Sequence, residues 1–389
     1  MKKSLVALAV LGSFAGVASA ATSVTLYGQV EVNYHDLFGK GEFAKGATAD
    51  VTGLSAKQAA IKKGTLTVAQ GLLGQSLTQS PRRSDRIGVK GEEDLGNGVS
   101  ATFQLEGNLK ADVGEATLFN RESTVGLKGA FGEIKLGRSK SQVELATGGI
   151  IGTHGVADVD LYAISSARHS NGLFYEYKNS GFTFGADVTT KGGASGNTYE
   201  GADGSKVGYG ARFGYYGHGL LARVAYQNDG PVVTSANAAD VGKKQHEWAG
   251  VLAYNFYEGQ KIPLAIGVSY AQGKGMAKGF FTATGMSTAD TIYAKKAQTI
   301  GALVRTWFTP NDTAYVMFQK RKSTSESDAT LNNAWAMALG YEHKLSKRTA
   351  VSVDTVYLKA KSIGVGAYGI GIPVSGKVYG YSVGLSHSF

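Results

Sequence analysis

Along most of the chain, apolar and polar residues alternate one for one. In residues 99–109, Val99, Ala101, Phe103, Leu105 and Leu109 alternate with Ser100, Thr102, Gln104, Glu106 and Asn108. A period of two gives an extended strand one greasy face and one polar face. The pattern returns at 26–34, 87–95, 182–190, 207–216, 248–256, 264–270, 300–308, 335–341, 351–357 and 379–389. Several of these segments have the roughly nine to eleven residues that a tilted strand needs to cross a bilayer.

The connections alternate too. Short links of turn-forming residues, such as Gly96-Asn97-Gly98, Asn179-Ser180-Gly181, Gly217-His218-Gly219 and Leu345-Ser346-Lys347-Arg348, interleave with long polar links at 35–84, 191–206, 229–244, 275–296 and 360–377. A soluble sandwich has little use for links of that length, whereas a membrane barrel carries turns on one side and loops on the other. The spacing, roughly 23 residues per strand with its link, predicts an all-β chain: a transmembrane antiparallel β-barrel of about 16 strands.

Composition agrees with this reading. The 389 residues include 55 Gly and only 5 Pro, which suits many strands joined by turns better than a helical bundle. Mean hydropathy is close to zero, and outside the first twenty residues no uncharged apolar run is long enough to span a bilayer as a helix. The absence of Cys excludes disulfides and thiol chemistry. A β-sandwich shares the alternation, but aromatics near segment ends (Tyr27, Tyr34, Tyr175, Tyr177, Trp307, Phe308) match the interfacial belts of a membrane barrel. The last alternating segment also runs out to Phe389 itself.

Lys2 and Lys3, an apolar stretch over 5–17 and the small residues Ala18-Ser19-Ala20 read as a secretory signal peptide spanning residues 1–20. The mature chain, 21–389, is then a single barrel domain, and without the two lysines its formal charge falls from +10 to +8. The charges are spread along the chain, so no polybasic tail for nucleic acid is indicated.

Ser23-Val24-Thr25-Leu26-Tyr27-Gly28, the run from Arg86-Ile87-Gly88-Val89-Lys90-Gly91 to Gly96-Asn97-Gly98, Phe119-Asn120-Arg121 and Phe131-Gly132-Glu133-Ile134-Lys135-Leu136-Gly137-Arg138 carry a family likeness. On these segments the chain resembles the general porins of Gram-negative bacteria, particularly the β-proteobacterial and neisserial branch. The resemblance implies a sixteen-stranded homotrimer in the outer membrane, among its lipid and lipopolysaccharide, through which small ions and hydrophilic solutes diffuse. It makes Phe389 an assembly signal and places a constriction loop, folded into the lumen, at 139–167. That loop holds Glu144, Asp158 and Asp160, and the positions matching the family's wall arginines are Arg86, Arg121 and Arg168.

Opposed charges across a narrow, water-filled passage set a transverse field, and their balance decides which ions are enriched. The basic excess predicts weak anion preference. Arg86 is out of phase with Ile87 and Val89 and so points inward; Lys90, Lys128 and Lys135 share the inward phase of their own segments. Arg121 shares the phase of Val125 and Leu127 and needs a bulge, or a position beyond the lipid band, to face the lumen. The first long link, 35–84, is longer than the family's usual first loop and holds Lys40, Lys45, Lys57, Lys62 and Lys63.

No enzymatic motif stands out. Gly364-Val365-Gly366-Ala367-Tyr368-Gly369 fits a dinucleotide fingerprint, but Ile370-Gly371-Ile372-Pro373 follows instead of an amphipathic helix. The seven histidines show no metal-ligand spacing. The chain therefore reads as a channel that needs no metal or other cofactor, rather than as an enzyme. The reading of its first twenty residues is checked by intact mass of the exported protein, which is expected to begin at Ala21.

Overall fold

The alternation of the chain becomes a wall with two chemistries once neighbouring strands pair. In the computed structural model, residues 23–43, 75–79, 85–148, 164, 167–190, 207–231, 240–276, 293–326, 330–365 and 371–389 are described. Residues 1–20, which hold the expected signal peptide, lie outside them, as do Asp158 and Asp160. The strands are β1 (Ser23–Phe43), β2 (Gln75–Gln79), β3 (Arg86–Gly96), β4 (Val99–Lys110), β5 (Glu115–Gly129), β6 (Gly132–Lys140), β7 (Arg168–Asn179), β8 (Phe182–Thr189) and β9 (Tyr209–Gly217). They continue with β10 (Leu220–Pro231), β11 (Lys244–Asn255), β12 (Leu264–Met276), β13 (Tyr293–Trp307), β14 (Asp312–Thr324), β15 (Thr330–Lys344), β16 (Thr349–Val365) and β17 (Gly371–Ser388).

Each strand from β3 onward pairs antiparallel with the next, and β1 closes the ring by pairing with β3 on one edge and β17 on the other. The result is a closed barrel of 16 strands, with β2 as a short additional strand that continues the β3 edge along β1. Among the described residues closure leaves no open edge strand, the condition for placing a sheet in hydrocarbon. The last rung is made by Phe389, which exchanges two backbone hydrogen bonds of 3.0 Å with Gly28. Its ring lies so close over Gly28 that a Cβ there would sit 2.3 Å from Phe389 Cζ, so only glycine fits beneath it.

The outward faces are apolar and exposed, as at Leu136 (53%), Val268 (50%) and Leu385 (54%), while Glu31, Glu247, Thr299, Arg321 and Asp354 are buried within the barrel. This inverts the polarity of a water-soluble protein and matches a wall solvated by lipid outside and water inside. On the turn side, Asn97, Ser180 and His218 all adopt left-handed backbone (φ 54°, 48° and 52°) and each is followed by a glycine of positive φ. That pair of conformations is the tight hairpin turn whose twist matches the strands.

Two features differ from the sequence reading. The links expected at 35–84 and 360–377 are partly strand: β1 pairs with β17 from Gln29 out to Phe43, and β16 with β17 out to Val365 and Gly371. The hydrophobic alternation ends where the lipid ends, but backbone pairing continues into water. Gly364 and Val365 of the fingerprint therefore belong to a strand, paired with Ile372 and Gly371. Tyr27 and Trp307, expected among the outer aromatics, face inward: the partner of Tyr27, Gly88, lies in the inward phase with Arg86, and Trp307 shares the phase of Arg305 and lines the same interior cavity; a position near a strand end does not set the face.

The wall's two faces are directly testable because the chain has no native thiol. In reconstituted vesicles, Lys135→Cys is expected to react with a charged methanethiosulfonate about tenfold or more faster than Leu136→Cys, since the thiolate forms in water and not in hydrocarbon. Equal rates at the two positions would contradict the assigned faces.

Candidate functional site

After β6 the chain turns into the barrel. Ser141 caps a short helix, α1 (Gln142–Thr147), its hydroxyl accepting from the Glu144 amide at 3.4 Å. The helix buries Val143 and Ala146 against Ala225, Ala249 and Ala271, a row of alanines on adjacent strands β10, β11 and β12. Larger inward side chains there would hold the helix off the wall. Gly185 and Gly210 likewise make room for Gln142: a Cβ at Gly185 would lie 2.5 Å from Gln142 Oε1.

Polar contacts fasten the segment at both ends. Gln227 Oε1 accepts from the Val143 amide (3.2 Å), one of the first-turn donors a helix cannot satisfy itself. Arg223 Nη1 donates to the carbonyls of Leu145 and Gly148, both at 3.2 Å, at the opposite end. On the return path, Glu247 Oε2 accepts from the Ile164 amide at 3.0 Å, and the Ser141 amide donates to Ala167 O at 3.1 Å. His169 is fully buried where β7 begins, its ring nitrogens 2.5 Å from Asp187 Oδ2 and 3.2 Å from Asp229 Oδ1, and ties β7 to β8 and β10.

Facing this segment is a charged wall. Arg121 Nε pairs with Glu106 Oε1 at 2.5 Å, with both side chains below 10% exposed, and Arg121 Nη1 donates to Asn108 Oδ1 at 3.0 Å. Arg121 faces inward because of a bulge: Glu106 and Asn108 of β4 oppose Glu122 and Thr117, so β5 carries extra residues between them, with Phe119 at φ 58°. Glu106 also accepts from Tyr27 Oη at 2.9 Å, and Arg86 Nη2 donates to Gln29 Oε1 at 3.0 Å. Arg168 Nε lies 3.9 Å from Glu122 Oε1, and Arg212 pairs with Glu176 at 2.5 Å.

Arg86, Arg121 and Lys135 thus line one lumen cavity of about 610 Å³, together with Lys140, Lys178 and Arg212. Against these six basic side chains the cavity presents, among the described residues, three acidic ones, Glu106, Glu122 and Glu176. Glu144, on α1, interacts electrostatically with Lys140 and Arg168. Lys90 stands beside the cavity, its Nζ 5.4 Å from the centre of the Tyr27 ring. Lys128 stands apart: it pairs with Glu92 at 3.2 Å, is half exposed and does not line this cavity. The sequence reading did not single out Lys140, Arg212 or Arg223. The inward phase of Arg212 was visible in its strand, but nothing local showed that the inward segment comes to rest across it.

Taken together, a closed barrel with a polar, charge-lined interior and a segment folded into it defines a channel of the outer-membrane type. The profile of the Gram-negative porin family matches residues 7–362, and the chain belongs to that family. It is 28% identical to outer membrane porin protein 32 of Delftia acidovorans over the full length of both chains. It is also 28% identical to the major outer membrane protein P.IB of Neisseria meningitidis serogroup B, over 73% of this chain and 84% of that one. Among solved structures, the anion-selective porin from Comamonas acidovorans superposes with TM-score 0.66 at 22% identity, covering 95% of this chain and all of that one. The trimer form of OmpT, an outer membrane protein of Vibrio cholerae, has TM-score 0.63 at 14% identity, covering 95% of this chain and all of the other. The protein is an outer-membrane porin through which small hydrophilic solutes and ions diffuse passively.

Arg223→Ala removes both hydrogen bonds to the end of α1, a loss of about 1.5–3 kcal/mol for bonds from a charged donor. The variant is expected to keep the barrel intact while the segment around 148 becomes a site of limited proteolysis; an unchanged cleavage pattern would show that the alanine seat and the Gln227 hydrogen bond hold the helix without Arg223.

Proposed function

We propose that this porin favours anions over cations, and that the inward segment 139–167 narrows the lumen where this preference is set. The observation that carries the proposal is the twofold excess of basic over acidic side chains among the described residues lining the lumen cavity. In a narrow aqueous passage the sign of the lining charge decides which ion is enriched. Arg86, Arg121 and Arg168 with Lys135 and Lys140 form the attracting wall; Lys90 and Lys128 extend its charge away from the cavity. Glu144, with Asp158 and Asp160 of the same segment, supplies the counter-charge. The anion-selective porin of Comamonas acidovorans supports the reading, and the trimer form of the Vibrio cholerae protein supports a homotrimer here. In the same proposal Phe389, which completes the last rung of the barrel, is the assembly signal, and lipid with lipopolysaccharide covers the outer apolar band.

Planar-bilayer recording tests this proposal. The wild-type protein is expected to insert in groups of three conductance steps, with a reversal potential in a KCl gradient that favours chloride. Lys135→Glu combined with Lys140→Glu should lower the chloride-to-potassium permeability ratio about fivefold or more, since two charges about 4 Å apart in water interact by ~1 kcal/mol. The change should shrink in strong salt, because screening shortens from about 10 Å at 0.1 M to about 3 Å at 1 M. A cation-favouring wild type would instead assign control of the passage to the acidic residues of the segment.

A further inference from the structure

A second cavity, of about 300 Å³, opens inside the barrel at its turn end, on the wall built by β13 to β17. Among the described residues four basic ones line it, Arg305, Lys344, Lys347 and Arg348, against a single acid, Glu342. Hydroxyl groups complete it, from Thr313, Ser346, Thr349, Ser386 and Ser388. Strand register gives the inward phase to Arg305, which is opposite the buried Tyr315, and to Lys344, which is opposite Ala350 and through it Ser386. The charged lining of the constriction takes no part: Arg121, Lys135, Lys140 and Arg212 line the other cavity, and among the described residues Ser388 alone lines both.

The turn that carries two of these cations is held in place. Ser346 Oγ accepts from the amides of Arg348 (3.1 Å) and Thr349 (3.0 Å). The Leu345 and Ser346 amides donate to Thr349 O at 2.9 and 3.1 Å, and Ser388 N donates to Arg348 O at 2.8 Å. Lys344 N donates to Asn311 O at 2.9 Å, tying this turn to the next. Four cations and a set of hydroxyl donors on a braced frame, around a volume of roughly ten water molecules, match a small multivalent oxyanion better than chloride, because several donors can be used at once.

From this geometry we infer that the turn-side vestibule holds a binding site for small multivalent oxyanions, separate from the constriction. Short turns of outer-membrane barrels face the periplasm, so the site lies where a solute leaves the channel. The inference rests on the proposed anion-conducting reading, since a multivalent anion must pass the constriction to reach the site from outside. Held there, such an ion repels the chloride behind it and lowers the chloride current until it departs.

The experiment uses the full-length protein in planar bilayers with KCl and sodium phosphate on both sides, each variant being compared with its own phosphate-free conductance. Phosphate is expected to reduce the wild-type conductance to a saturating plateau. In Lys347→Gln/Arg348→Gln, two exposed turn positions, the half-blocking concentration should rise about tenfold or more, the loss expected for a hydrogen bond to a charged group. In Lys135→Gln/Lys140→Gln the half-blocking concentration should stay within about twofold of wild type, since screening limits reach to about 10 Å at 0.1 M salt. A wild-type conductance that does not saturate with phosphate, or a block that weakens with the constriction variant and not with the turn variant, overturns the inference. Failure of the underlying anion-conducting reading is seen separately, as a cation-favouring reversal potential in phosphate-free KCl.

Discussion

Every peptide group that crosses hydrocarbon must find its hydrogen-bond partner within the protein, because the bilayer core offers none. A sheet meets that demand only by closing, and the rest of this molecule follows from closure. The ring from β1 to β17 has one seam, where β1 meets the last strand, and the rung between Gly28 and Phe389 completes it. Closure also separates two solvents. Outward positions meet lipid and carry Leu, Val, Ile and aromatics; inward positions meet water and one another and carry charge.

A closed wall of sixteen strands encloses more space than its own side chains fill, and the inward segment occupies part of it. The alanine row on β10, β11 and β12 makes this possible, since a helix can rest only on a wall whose side chains are short. Opposite that seat, the wall from β3 to β7 carries arginines and lysines. Their charge is partly offset within the wall by Glu106 and Glu122, and further along it Glu176 of β7 pairs with Arg212 of β9 over Gly185. Selectivity in such a passage is a property of the residual imbalance, so residues that neutralise arginines matter as much as the arginines themselves. The vestibule beneath β13 to β17 repeats the principle with fewer acids and a braced turn.

The strand segments and the short turns were legible because each is a local pattern: alternation in one strand, or a left-handed residue followed by glycine in one turn. Arg86 and Lys135 were also legible, since the phase of a single strand places them inward. Arg121 was legible only as a condition, because the bulge that turns it inward depends on how β4 and β5 share residues between Glu106 and Asn108. The outer ends of β1, β16 and β17 were hidden because pairing outside the lipid leaves no hydrophobic signature. Tyr27 misled because aromatic character near a strand end does not encode its face.

By itself, then, the sequence determined the class of fold, the alternation of turns and loops, the family resemblance and the basic character of the lumen, all of which depend on neighbours a few residues apart. Only the tertiary structure decided which charges meet. Glu106 reaches Arg121, Arg212 reaches Gln142 and Glu176, and Arg223 reaches the end of α1 across sequence separations of 15 to 78 residues. Such pairings are set by the register of strands around a closed ring and by the seat of one helix inside it, and neither leaves a local trace in the chain.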